Sequence, residues 1–388
     1  MRLKRVLGSL LIITLLAGVV TAFWWVTRPP ALSAQPIALG DVGDATGFAR
    51  ALAPRAFTFP ADDGPHEDYQ TEWWYYTGNL TTAGGQHVGY QLTIFRRGLT
   101  PGPSSRSSDL GSNQVYFAHL AFTDVAAGSH TAFERFSRGA LALAGASGDP
   151  YHVWLEDWRV DSIVADGSAV HLVARSGQQA LDLELRSTKP IVAQGDHGLS
   201  AKSAAPGNAS YYLSYTRLAT TGSITFAGGQ TSSVTGDSWF DHEWSTTALG
   251  PGAIGWDWFS LQLSDGRELM WFQIRLQDGS LEPVSGGTLV AADGSTRRLA
   301  LGDVTVGVQG HWRSPASGGL YPSQWHVSVP SAQIAVDIAP WLADQENRLS
   351  FTYWEGAVRI SGTSGGAAVT GNGYVEMTGY TATIAGRF

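Results

Sequence analysis

From Phe57 to the end of the chain, short runs of β-branched and aromatic residues alternate with clusters of Gly, Asp and Ser. That is the rhythm of strands and tight turns. No stretch of this region keeps apolar residues three and four apart over a helical window, so an all-β body is expected. Leu261–Leu263 and Glu268–Arg275 read as a hairpin about Asp265-Gly266, and Val170–Ala174 pairs with Leu181–Leu185 through Ser176-Gly177. Ala291-Ala292-Asp293-Gly294 marks another turn. Regular hairpins in this number favour barrels over open sheets. The pattern also echoes itself. Trp73–Leu80 leads through a turn into Tyr90–Arg96, and Trp256–Leu263 leads through a turn into Met270–Arg275. Both are an aromatic-rich strand, a turn, and a strand ending in Arg, so two β-domains meeting near residue 230 are expected.

The first residues follow another pattern. Arg2, Lys4 and Arg5 precede an apolar run from Val6 to Val26, closed by Trp24, Trp25, Arg28, Pro29 and Pro30. Positive charge before an apolar core is the export pattern, and this run is long enough to span a bilayer. Ala31-Leu32-Ser33 offers a cleavage site. Residues 1–33 are therefore expected to be a signal peptide or membrane anchor, with 34–55 a linker. The body would lie outside the cytoplasm, in the periplasm or cell envelope, anchored or secreted.

Composition narrows the chemistry. The 388 residues carry a formal net charge of −8, which disfavours a nucleic-acid partner. Cys is absent, so disulfides, thiolate nucleophiles and zinc–thiolate sites are excluded. The densest polar and aromatic cluster is Gly236–Ser245. On a strand, Phe240, His242 and Trp244 share one face while Asp241 and Glu243 share the other. A histidine between aromatics suits a general acid in an apolar cavity, although a hydrogen-bonded core histidine is the commoner case. Adjacent strand residues point apart, so Asp241-His242-Glu243 does not converge on an ion. His66, Glu67 and His119 are the other candidate ligands, and no metal site is expected. Gly362-Thr363-Ser364-Gly365-Gly366 matches a serine-hydrolase pattern, but the following residues read as a strand, which makes it a hairpin loop.

Six segments carry a family resemblance: Glu72–Tyr75, Tyr116–Leu120, Asp241–Ser245, Gly255–Phe259, Tyr353–Gly356 and Gly373–Glu376. Together they resemble the lipocalin-like AttH and carotenoid 1,2-hydratase family. The resemblance implies two calycin-like β-barrel domains, here 56–230 and 231–388, and a lipophilic small-molecule ligand. Hydratase members add water to the terminal double bond of an acyclic carotenoid; AttH-type members are associated with ABC exporter components. The hydratases' His-x-Trp corresponds to His242 and Trp244. Their acidic residue after the next Trp-Asp-Trp falls in Leu269–Phe272, which holds no carboxylate, leaving Asp257, Glu355 or His119 to replace it.

Two functions from different classes follow. One is a hydro-lyase needing no cofactor, with His242, Trp244 and Asp257 catalytic and a lipophile held by Trp256, Trp258, Trp73, Trp74, His119, Trp354 and Glu355. If the strands of His242 and Trp256 pair, His242, Trp244, Trp256 and Trp258 line one cavity, with Asp241 and Asp257 behind them. The other is a non-catalytic carrier holding the same lipophile for an envelope ABC transporter, touching the membrane through the N-terminal segment.

Overall fold

The computed structural model describes residues 45–103, 108, 111–247 and 249–382. The expected signal or anchor, and the linker as far as residue 44, lie outside them. Among the described residues no helix is long and apolar enough to cross a membrane, and helical structure is limited to three short 3-10 turns. Everything else is strand and turn, as the alternation predicted.

Thirteen strands build the first sheet. They are β1 (Thr71–Thr82), β2 (His87–Gly98), β3 (Gln114–Asp124), β4 (Ser129–Arg138), β5 (Ala144–Gly148), β6 (Tyr151–Leu155) and β7 (Trp158–Ser162). There follow β8 (Ala169–Ser176), β9 (Gln179–Ser187), β10 (Val192–Ala193), β11 (Leu199–Ala201), β12 (Ala209–Thr225) and β13 (Thr231–Ser245). Their order is β4-β3-β2-β1-β13-β12-β9-β8-β7-β6-β5, with β10 and β11 on β12. The sheet curls until β2, β3 and β4 approach β6, a nearly closed barrel. Leu92, Leu120, Val153, Leu172 and Leu183 fill it, each fully buried and contributing about 1.5–3 kcal/mol.

The second sheet, a half-barrel, has ten strands. They are β14 (Ala253–Leu263), β15 (Glu268–Leu276), β16 (Gly286–Val290), β17 (Thr296–Ala300) and β18 (Thr305–Arg313). The rest are β19 (Leu320–Val329), β20 (Ile334–Pro340), β21 (Glu346–Arg348), β22 (Thr352–Ser364) and β23 (Ala367–Met377). The three hairpins expected from the turn signals are β8–β9, β14–β15 and β16–β17, and the Gly362–Gly366 stretch is the β22–β23 turn.

The boundary near 230 is corrected. β13 pairs with β1 from Thr71↔Ser245 to Thr82↔Val234 and with β12 on its other side, so the chain changes sheet between Ser245 and Ala253. The linker reading of 34–55 also gives way where it can be seen. Ala51 is buried beneath Tyr211 and Trp244, and the Ala49 amide donates to the Asp68 carbonyl (2.8 Å).

The two sheets belong to one compact unit. Between them lies an aromatic layer that includes Tyr75, Tyr212, Trp239, Trp258, Phe272 and Tyr374. Gly89 permits the close approach: a Cβ there would sit 2.7 Å from the Ala357 Cβ. Polar ties cross the layer. Asn79 Nδ2 donates to the Gly373 carbonyl (2.9 Å), and Arg217 Nε and Lys189 Nζ both bond Glu268 (2.7 and 2.6 Å).

Candidate functional site

β1 and β13 are central neighbours in the first sheet, and each presents one face to its barrel and one to the second sheet. Alternation separates their chemistry as predicted: Trp74 lies opposite His242 on the barrel face, Tyr75 opposite Asp241 on the inter-sheet face.

On the inter-sheet face is a cavity with about 790 Å3 of empty space, counted with its opening to solvent. Apolar walls come from Trp73, Phe95, Trp256, Trp258, Phe272 and Ile274; polar groups are Tyr75, Tyr212, Lys202, Asp241, Glu243 and Glu376. Asp241 accepts three hydrogen bonds, from Tyr212 Oη (2.6 Å), Ser214 Oγ (2.5 Å) and Trp239 Nε1 (2.7 Å). Trp258 Nε1 donates in turn to Tyr212 Oη (2.9 Å). Burial pushes the Asp241 carboxyl up to about 7 against the pull of those three donors, with the charge of Glu243 adding to the rise. Glu376 accepts from Trp256 Nε1 (3.0 Å). It too is pushed to about 7, by enclosure first and then by Glu243 and Asp241. Lys202 Nζ pairs with Glu243 at 2.5 Å, and Ser210 Oγ donates to the same carboxylate. Behind Tyr75, whose hydroxyl donates to Glu355 Oε1 (2.6 Å), burial and the charge of Glu376 hold Glu355 well above the usual carboxylate range.

The barrel face carries the opposite chemistry. Glu72, fully buried, accepts His66 Nδ1–H (2.7 Å) and His242 Nε2–H (2.9 Å) on Oε1. Its Oε2 accepts Arg96 Nε (2.8 Å) and the His66 amide (2.9 Å). Burial alone would raise Glu72; the Arg96 charge and the two imidazole donors outweigh it and hold the carboxyl well below its ordinary range. His66 also donates Nε2–H to Asp62 (3.0 Å), so both ring nitrogens are protonated and its pKa is raised despite burial. Burial lowers His242 against the Glu72 bond, leaving it neutral. Trp244 stacks flat on His66, centroids 3.7 Å apart, and Trp74 stacks on His242 at 5.0 Å. Among the described residues His66, Glu72 and His242 have ligand atoms within 4.8 Å of one another, a donor set that suits a divalent ion. Every oxygen of Glu72 is already engaged, so an ion would displace hydrogen bonds rather than fill a gap. The cluster is best described as an ionic hub that clamps the 58–70 segment onto the barrel.

The expected site is thus redistributed. β13 and β14 do not pair, and β14 lies between β15 and β23. Trp73, Trp256 and Trp258 line the cavity and Glu355 stands behind it. His242, Trp244 and Trp74 point into the barrel face, away from it. Asp257 points into the second core, where Arg275 Nε (3.1 Å), Gln273 Nε2 (2.9 Å) and Tyr380 Oη (3.0 Å) bond it. Trp354 joins the same core and donates Nε1–H to the Ala343 carbonyl (2.9 Å). His119 lies in an inter-sheet chain: it donates to Glu134 (3.0 Å) and accepts from Tyr353 Oη (2.8 Å), which accepts from Gln91 (3.1 Å). Asp241, Glu376, Tyr212 and Lys202 take the prominent places. Asp241 falls in the polar and aromatic cluster Gly236–Ser245 and Glu376 ends one of the six family segments, whereas Tyr212 and Lys202 belong to no motif.

The AttH-like family profile matches residues 50–380. The chain belongs to the AttH-like family. An AttH-type protein of Nitrosomonas europaea has a similar solved structure, with 34% identity, a TM-score of 0.76, and 86% of this chain and all of that one covered. Kievitone hydratase from Nectria haematococca shares the fold at 16% identity and a TM-score of 0.64, covering 87% of this chain and 97% of its own. No curated protein matches in sequence.

Proposed function

We propose that the inter-sheet cavity of this AttH-like protein binds a lipophilic, isoprenoid-like molecule and adds water to one of its C=C bonds by acid catalysis. The observation that carries this reading is the pair Asp241 and Glu376, two enclosed carboxyls near 7 on the wall of an aromatic cavity. A proton carrier with a pKa close to the working pH is the most effective. Hydrogen bonds donated to a carboxylate favour its charged form, and Asp241 receives three against one on Glu376. Glu376 is therefore the acid and Asp241 the base.

The Glu376 O–H bond breaks as the alkene π pair takes the proton, leaving a carbocation at the more substituted carbon. Indole faces of Trp73, Trp256 and Trp258 stabilise that charge by about 0.5–2 kcal/mol each. A water oxygen bonds to the cation and gives its proton to Asp241. Transfer of that proton back to Glu376 through cavity water restores both groups. The neighbouring fold is called a hydratase, which agrees with water addition without assigning it. The charged apolar run at residues 2–26 supports a place outside the cytoplasm.

The test is incubation with an acyclic isoprenoid alkene in 18O-labelled water, read by mass spectrometry. The expected result is one labelled water added, with Glu376→Gln about 10²–10⁴-fold slower and still able to bind. Binding without water addition by the unmodified protein would overturn hydration and leave the carrier for an envelope transporter.

A further inference from the structure

The cavity holds more acid than base. Asp241 and Glu243 come from β13 and Glu376 from β23, Glu355 of β22 stands behind Tyr75, and Lys202 is the cation set against them. The remaining titratable groups facing the space are the phenols of Tyr75 on β1 and Tyr212 on β12. Its other walls are largely aromatic, and ring faces attract cations. One ammonium is already held in this manner. Lys202 Nζ lies 5.0 Å from the Phe272 ring centre and 5.4 Å from that of Tyr212, paired with Glu243. Glu243 is paired with Lys202, whereas Asp241 and Glu376 have neutral donors as partners and no cation, and they lie next to Trp258 and Trp256.

Resting on the reading of this cavity as the ligand site, we propose that it selects positive charge and binds lipophilic ammonium ions more tightly than uncharged molecules of the same shape. A ligand ammonium between Trp256 and Trp258 gains the ring faces and the two carboxyls at once. A lipophilic anion in the same place meets three acidic side chains. In a hydration, the same preference is exerted on the carbocation, so a bound ammonium imitates the intermediate and competes with the alkene.

The experiment compares phenyltrimethylammonium with tert-butylbenzene, which share a shape and differ in charge, by titration calorimetry on the full-length protein. At about pH 8 the ammonium binds about tenfold more tightly, the equivalent of one or two cation–π contacts. Near pH 5.5 the preference shrinks, because carboxyls with pKa values of about 7 are then neutral. The double variant Asp241→Asn, Glu376→Gln keeps tert-butylbenzene binding and lowers the preference to the part the ring faces supply. Equal affinity for the two probes at pH 8, or a preference undiminished in the double variant, overturns the inference and leaves the hydration reading intact. Binding of neither probe overturns both.

Discussion

Glu72 and Asp241 sit on paired strands, buried to the same degree, with opposite electrostatic fates. Glu72 faces the barrel among Arg96, His66 and His242, which hold its charge in place. Asp241 faces the second sheet among Tyr212, Ser214 and Trp239, which are neutral donors that only partly offset its desolvation. Burial by itself therefore does not decide what a carboxyl does. The formal charge of its partners does, and one ribbon two strands wide holds both outcomes because side chains alternate.

The contrast is broken most directly by removing each charge. Glu72→Gln strands a buried Arg96 and should cost about 3–5 kcal/mol, the usual result of leaving one ion of a buried pair alone. Asp241→Asn removes no ion-pair partner and should cost about 1 kcal/mol or less at neutral pH. Urea denaturation gives both values. Equal costs would mean that the two faces are not electrostatically different.

A second effect is the pH dependence of stability. Asp241 and Glu376 keep protons up to about 7 in the folded chain, whereas the unfolded chain releases them near ordinary carboxyl values. The folded state then binds more protons, so these groups make stability fall as pH rises from about 4 to 7. Glu72 has the reverse sign: its contribution is present above about 4.5 and is lost as pH falls through its lower folded value. His66, with a raised pKa, also loses its contribution as pH rises, so the Asp241 effect is read as the difference between wild type and Asp241→Asn. The cost of Asp241→Asn should therefore be largest near pH 4, shrink as pH rises to about 7 and then level off. A flat difference would place Asp241 among ordinary carboxylates.

His242→Ala sharpens the comparison from the barrel side. It removes the Glu72 bond and the ring stacked on Trp74, a loss of about 1–3 kcal/mol. Affinity for a cavity ligand should be unchanged, because the side chain faces away from that space. A fall in affinity beyond the fall in melting temperature would return His242 to the site.

The strands, three hairpins and the segregation of His242 from Asp241 were legible because period-two alternation and Asp-Gly turns are local signals. Which face of β13 meets the second sheet was not, since Phe240 and Trp244 on one side and Trp239 on the other are equally aromatic. The echo of Trp73 and Trp256 suggested equal halves, yet β13 belongs with the first because it fills the place between β1 and β12. His66 reaches Glu72 from a segment with no periodicity at all. Lys202 and Tyr212 lie some 30 to 40 residues before their partners on β13 and share no motif with them.

Tyr212→Phe separates position from charge on the cavity face. The phenol donates to Asp241 Oδ2 and accepts from Trp258 Nε1. Losing it should cost about 1–3 kcal/mol of stability, because two buried hydrogen bonds go and the Trp258 N–H loses its acceptor. Its more telling consequence is on Asp241 itself. The Tyr212 bond lowers that carboxyl, so its removal should lift the titration above about 7. With Asp241 acting as the base, the acidic limb of a hydration pH profile should move to higher pH while the Glu376 limb stays in place. Movement of both limbs together would mean that the two carboxyls titrate as a coupled pair. An unmoved acidic limb in a correctly folded variant would remove Asp241 from the base role and leave it as a support for Tyr212 and Trp258.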